Sequence, residues 1–345
     1  MMEIGIYTFA DVPAGKPDFA GQRLRNLVEE MELADQVGLD VFAVGEHHRA
    51  DYAVSSPAVA LAAGASRTKN IRLSSAVTVL SSDDPVRVFQ QFATLDGLSN
   101  GRAEIMAGRG SFIESYPLFG YELDDYDALF AEKLDLLLKL RDQERVTWRG
   151  SLRSSLDNAG IYPRPEQAKL PVWIAVGGTP QSVVRAATLD VPMALAIIGG
   201  DPKRFAPFFD LYRDTMRKAG KDPAKAELSL NMHGFVGETT AKAKAVFGPA
   251  QTEVMNRIGR ERGWPPQGAA HFEAASGPDG NLLIGDPERV AARIIELHQV
   301  FNNTRILIQM AIGTVPHAEQ LKAIELLGTK VAPLVRAELK KARAA

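Results

Sequence analysis

The stretch "GEHHRAD" runs from Gly45 to Asp51 and follows directly on the apolar run "LDVFAV". Glu46, His47 and His48 therefore sit where a buried strand ends. Neighbouring residues on an extended chain face opposite sides, so the two histidines do not make a natural chelating pair. No HxH or HExxH spacing occurs, and His233, His271, His298 and His317 are scattered, so a metal site is the weakest reading. A proton-transfer role for His47 and a purely structural one both stay open on these grounds.

Two further stretches carry candidate chemistry. "AGRGSF" sets Arg109 between Gly108 and Gly110, a fixed cation with a planar donor fork beside backbone that a ligand can approach closely. In "VGGTPQS", Gly177 and Gly178 precede Thr179, a residue suited to a helix cap, and Pro180, suited to the first helical position. The amides of Gln181 and Ser182, with the Ser182 hydroxyl, then form an anion pocket at a helix N-terminus that suits a phosphate. "GGDPKR" and "GDPERV" show similar openings in the same chain, so an ordinary strand–helix turn remains the alternative.

Elements must hold these groups together. Short apolar runs at Ile4 to Phe9, Val41 to Gly45, Ile71 to Leu80, Ala103 to Ala107, Val172 to Val176, Met193 to Ile198, Leu228 to Val236 and Arg305 to Ile312 alternate with amphipathic stretches. In "DDPVRVFQQFATLDGLS" an aspartate cap and Pro85 open a helix with Val88, Phe89, Phe92 and Leu95 on one face. Near-continuously apolar strands alternating with helices imply parallel strands buried on both faces. Eight such units predict a (β/α)8 barrel, with active groups at the C-terminal ends of the strands. An irregular excursion precedes the fifth strand, and a long Gly/Pro-rich loop, Gly263 to Asn281, precedes the eighth. No linker-like break divides the chain, so residues 1–345 are expected to form one domain.

Composition narrows the function classes. The 345 residues carry 40 basic and 42 acidic groups, a net charge of −2, with no basic block. Electrostatic attraction to nucleic acid or anionic membrane is not indicated. No cysteine is present, which excludes disulfides, thiolate metal sites and cysteine nucleophiles. No apolar stretch is long enough to span a bilayer, and a soluble, cytoplasmic protein is expected. GxGxxG after the first strand, GxxxxGK[ST] and GxSxG are all missing, so the common nicotinamide, P-loop and serine-hydrolase sites are unsupported.

Together, "VGEHHRAD", "IRLSSAVTVLSSDDPVRVFQQFATLDGLSNGRAEIMAGRGSF", "YPRP", "LPVWIAVGGTPQSVVRAA" and "LIGDPERVAARI" resemble the bacterial luciferase-like flavin monooxygenases over nearly the whole chain. The resemblance implies a (β/α)8 TIM barrel that binds FMN, usually reduced, at its C-terminal mouth; a related branch uses a deazaflavin. It implies that Arg109, Gly177, Gly178 and Ser182 hold the flavin phosphate. It also implies that Ala76 and Val77 form a non-prolyl cis peptide against the isoalloxazine ring, and that His47 serves acid/base chemistry near flavin C4a. Two positions depart from luciferase: Gly108 replaces a reactive cysteine of its α chain, and Gly177-Gly178 replaces Glu-Ser. The "GGTPQS" turn is similar to the broad oxidoreductase branch.

The function so implied is an FMN-dependent monooxygenase. It would take reduced flavin from a separate NAD(P)H:flavin reductase and oxygenate a small organic substrate with O2 through a flavin C4a-hydroperoxide. Alternatives are a flavin or deazaflavin oxidoreductase transferring hydride without oxygen, and a non-catalytic flavin-binding protein. The resemblance further implies a homodimer packed through barrel helices. The segment from Gly263 to Asn281 is expected to be a mobile lid.

Overall fold

In the computed structural model, residues 2–13, 16–110 and 112–344 are described. Eight parallel strands close into a ring: β1 Glu3–Thr8, β2 Val41–Val44, β3 Arg72–Ser75, β4 Ala103–Gly108, β5 Val172–Val176, β6 Met193–Ile197, β7 Leu228–Val236 and β8 Arg305–Gln309. Closure is direct, because Ile306 of β8 registers with both Ile4 of β1 and Leu230 of β7. The expected (β/α)8 barrel is the observed one.

Strand alternation sorts the side chains into two populations. Ile4, Ile6, Phe42, Val44, Leu73, Ile105, Ile174, Leu195, Leu230 and Ile308 belong to the core between sheet and helices. Tyr7, Val41, Ala43, Met106, Trp173, Ala194 and Leu307 form a separate cluster on the alternate positions, inside the ring. At the N-terminal end of that interior lies Arg305, only 2 % exposed. Its Nη1 and Nη2 donate to the two oxygens of Glu104 at 2.5 and 3.1 Å, and its Nε donates to Glu3 at 2.7 Å. The guanidinium also lies 4.1 Å from the centre of the Trp173 ring. Charge, hydrogen bonds and an aromatic face thus fill the bottom of the barrel, as a buried charge requires.

The helix Pro85–Ser99 forms as its sequence predicts. The Asp84 carboxylate caps it through the amides of Val86 and Arg87, Pro85 occupies the first turn, and Val88, Phe89, Phe92 and Leu95 are buried.

Three segments differ from expectation. The third strand does not run through to Leu80. It stops at Ser75 and resumes as the short strand Thr78–Val79, with a cis peptide between Ala76 and Val77. The reason is the loss of one neighbour: Arg72–Ser75 pairs with both β2 and β4, whereas Thr78–Val79 keeps only its pairing with the end of β4. The eighth strand ends at Gln309 rather than Ile312. The segment from Gly263 to Asn281 is not a free loop. It contains the helix Ala269–Ala275, whose Phe272 is buried. Asn256 bonds both the amide and the carbonyl of Gln267, and Arg289 and Arg293 donate to the carbonyls of Ser276 and Gly280. The excursion before β5 holds the antiparallel hairpin Arg145–Trp148 and Leu156–Gly160.

The buried ion pair yields a stability prediction. Arg305→Met leaves the buried Glu104 with only Arg72, whose Nε lies 3.6 Å away, and is expected to cost roughly 3–5 kcal/mol in urea unfolding. The double variant Arg305→Met/Glu104→Met should recover most of that loss. A single-variant cost below about 1 kcal/mol would remove the pair from its role in the barrel floor.

Candidate active site

Above the Arg305 layer the interior residues become small: Ala43, Ala175, Ala194 and Ala196 occupy inward positions of their strands. The ring cannot shrink to follow them, so space opens at the C-terminal ends of the strands. A cavity of about 360 Å³ fills that end, and His47, Ala76, Val77, Arg109 and Gly177 all line it. They follow β2, β3, β4 and β5 in turn, so they succeed one another round the mouth. Ser182 joins them through its hydroxyl, which lies 3.3 Å from Arg109 Nη2.

The Glu-His-His stretch divides its work. The His47 amide donates to the Val54 carbonyl at 2.9 Å, and its ring is wedged against Phe9, Tyr52 and Phe112, with centroids 4.7, 4.2 and 5.1 Å away. Nε2 is buried with no hydrogen-bond partner among the described residues. Burial in this aromatic cage holds His47 far below the usual histidine range, at about 3, so the ring is neutral at pH 7. His48 instead meets Glu46 Oε1 at 2.8 Å and packs on Phe119. The other Glu46 oxygen accepts from the Val79 amide at 2.8 Å. Glu46 therefore ties the end of β2 to the segment beyond the cis peptide. Among the described residues no cluster of three or more histidine, aspartate or glutamate side chains has the arrangement of a metal site.

Close approach explains the glycines. A Cβ on Gly45 would lie 2.8 Å from the Ala76 carbonyl oxygen and closer still to the Phe9 ring, and one on Gly108 would lie 2.8 Å from the Val77 side chain. A side chain at position 108 would force Val77 to shift. Gly178 has φ +104°, a turn that an L side chain resists. Gly177 faces open space instead, where a Cβ would meet nothing within 4 Å.

The helix Pro180–Leu189 opens at Thr179, and no side chain caps it. Thr179 Oγ1 and Ser182 Oγ lie 2.8 Å apart. Arg109 is steered towards them from the other side: Nη1 donates to Asp127 at 2.5 Å, and the guanidinium lies over the Tyr126 ring. The Asp127 side chain is 72 % exposed, so this pair is a weak, solvent-screened tether. The Ser182 amide is not the free donor expected, because it turns back to the Thr179 carbonyl at 3.1 Å. A helix terminus without a side-chain cap, two hydroxyls and a guanidinium still fit a phosphate. The open space beyond Gly177 and the small inward residues fit a flat ring system.

The cavity also gathers groups outside the expected set: Tyr7 on β1 and Asp11 after it, Met106 on β4, Asn231 and His233 on β7, and Gln309 on β8. His233 Nδ1 and Gln309 Oε1 are buried and without hydrogen-bond partners among the described residues. Burial alone pushes His233 down to about 4. Period-two reading of "LSLNMHGFV" and "RILIQ" was the available signal, since it places Ser229, Asn231, His233 and Gln309 on the inner face.

Both histidines link folding to pH. Unfolded, each takes up a proton near the ordinary value of 6.5; folded, they resist protonation until about 3 and 4. The unfolded state thus binds more protons as pH falls below 6.5, and stability should drop there by up to roughly 1.4 kcal/mol per pH unit for each histidine. His233→Asn is expected to flatten this acid limb in pH-dependent denaturation. An unchanged slope would mean that His233 is already charged in the folded protein.

Comparison with known proteins gives the family and the fold. Residues 2–303 match the luciferase-like monooxygenase family. N-acetyl-S-alkylcysteine monooxygenase of Bacillus subtilis is 26% identical over 82% of this chain and 85% of its own length. F420-dependent glucose-6-phosphate dehydrogenase of Amycolatopsis mediterranei is 34% identical over 45% of this chain and 48% of its own. The oxygenating constituent of 3,6-diketocamphane monooxygenase of Pseudomonas putida, solved with FMN, has the same fold. It gives a TM-score of 0.80 at 18% identity, over 97% of this chain and 99% of that one. The chain belongs to the luciferase-like monooxygenases, a family of flavin-dependent oxidoreductases.

Proposed function

We propose that the protein is an FMN-dependent monooxygenase that receives reduced flavin from a separate NAD(P)H:flavin reductase and oxygenates a small organic substrate with O2. The observation that carries this reading is the order round the mouth: a neutral, buried His47, then the Ala76–Val77 segment, then Arg109 and the uncapped helix after Gly177.

When bound, reduced FMN supplies the electron pair that activates O2. Arg109, Ser182 and the first turn of Pro180–Leu189 bind the phosphate, with Arg109 exchanging its Asp127 contact for it in part. Ala76 and Val77 support one face of the ring. His47 works as a neutral imidazole: it takes or gives one hydrogen at Nε2, the ring atom that has no partner of its own. Phe9, Tyr52 and Phe112 around it keep bulk water away from that atom. On this reading the chain acts as one domain in the cytoplasm, as a homodimer, where a reductase can reach it.

Arg109→Ala should weaken FMN binding at least tenfold by fluorescence titration while leaving the unfolding midpoint nearly unchanged. An unaltered Kd would take Arg109 out of the phosphate site. His47→Ala should spare FMN binding and slow oxygenation by about 10²–10⁴-fold. Equal single-turnover rates after mixing the reduced complex with O2 would return His47 to a packing role. The choice between oxygenation and hydride transfer is read by 18O2: label in the product supports the monooxygenase, and F420-dependent turnover without label supports the alternative.

A further inference from the structure

A second cavity, of about 290 Å³, lies behind the first, between the start of the first long helix, Ala20–Gln36, and the segment after β8. Its mixed lining carries the polar side chains of Arg23, Asn26, Glu30 and Gln320 and reaches the surface at Lys16, Thr314 and Pro316. Two residues, Asp11 and Ile312, line both cavities. Asp11 is therefore the polar group in the wall between them. It is 4 % exposed, and neither carboxylate oxygen meets a hydrogen-bond partner among the described residues.

Its position is fixed by backbone. Ala10 takes φ 54° at the end of β1, and Asp11 then forms an antiparallel bridge with Tyr52. The Val12 amide donates to Asp51 and the Ala53 amide to Ala10. The same extended segment accepts the His47 amide at Val54 and lays the Tyr52 ring against His47. One short stretch, Asp51 to Val54, thus registers both Asp11 and His47 on the wall of the active cavity.

We propose that Asp11 passes protons between the polar cavity and the active cavity. The proposal rests on the monooxygenase reading for its direction. Turnover breaks the O–O bond, puts one oxygen on the substrate and reduces the other to water. The electron pair comes from the reduced flavin anion, which also yields one hydrogen, so one further proton must enter from solvent. Cofactor and substrate fill the open mouth of the first cavity at that moment, and the second cavity is the remaining polar route. Lys16 stands at the exposed rim, and the charged groups further in are committed. Arg23 donates to both Glu30 oxygens at 2.9 and 3.0 Å, and His317 is held by Glu29 at 2.8 Å. The groups facing Asp11 are Arg23 on Ala20–Gln36, Arg257 on Thr240–Arg262, Tyr52, and the Gly313 backbone. Burial outweighs them and lifts its carboxyl to about 6, where it exchanges a proton readily near neutrality.

The test has two parts. In the flavin-free protein, carboxyl-13C NMR with Asp11→Asn for assignment should show one aspartate titrating well above the ordinary range. An ordinary titration overturns the proposal, whatever reaction the enzyme performs. In single turnovers with a pH-indicator dye, Asp11→Asn should slow proton uptake at least tenfold without changing FMN affinity. Formate should restore part of the rate in Asp11→Ala. Thr314→Trp, which plugs the outer cavity without touching Asp11, should slow uptake as well. Wild-type uptake in Asp11→Asn or in Thr314→Trp overturns the route. Proton release in place of uptake, still slowed by both variants, supports the route and overturns the oxygenation reading.

Discussion

Arg305 and Glu104 sit on β8 and β4, strands that stand opposite each other in a ring of eight, and their paired hydrogen bonds cross the barrel interior. A charge buried to this degree is tolerated only when its donors are used, and here Glu104, Glu3 and the Trp173 face use them. The consequence is vertical. Large and charged side chains fill the N-terminal half of the interior, while in the C-terminal half Ala175, Ala194 and Ala196 leave space among Tyr7, Met106, Asn231, His233 and Gln309. A ring of fixed circumference packed in this way must be closed at one end and open at the other. The active cavity is what remains.

Within that cavity, burial decides protonation more than neighbouring charge does. His47 and His233 are kept neutral by desolvation, and Asp11 is drawn upward despite two arginines. His47 and His233 therefore act as neutral hydrogen-bonding groups, while Asp11, at about 6, passes between its neutral and charged forms near neutrality. Beside the Pro180–Leu189 terminus the fixed charge comes from Arg109, which reaches solvent beside Asp127. The separation suits a ligand that is charged at one end and flat and apolar at the other.

The segments after β1, β2 and β3 hold the site as one unit. Glu46 bonds the Val79 amide, the Val77 carbonyl accepts from the Glu46 amide, and the Asp51 to Val54 stretch holds both Asp11 and His47. Glycine at 45 and 108 permits these loops to approach closely.

The barrel was legible from the sequence because eight apolar runs of strand length carry no competing periodicity, and helix signals such as Asp84-Pro85 are local. His47, Arg109 and the "GGTPQS" turn were legible for the same reason, since strand ends and helix starts are defined over a few residues. Which histidine enters the cavity, and that Glu46 serves as a strut for His48 and Val79, depended on contacts across three loops. Asp11, Asn231, His233 and Gln309 stayed hidden as a group because they lie in the segment after β1, on β7 and on β8, far apart in the chain. Period-two alternation marks their inward face but says nothing of who stands opposite. The segment from Gly263 to Asn281 reads as loop by composition, yet Asn256, Arg289 and Arg293 anchor it from neighbouring helices. Local chemistry fixes elements and their ends; only closure of the ring brings distant inward faces together and sets how deeply each titrating group is buried.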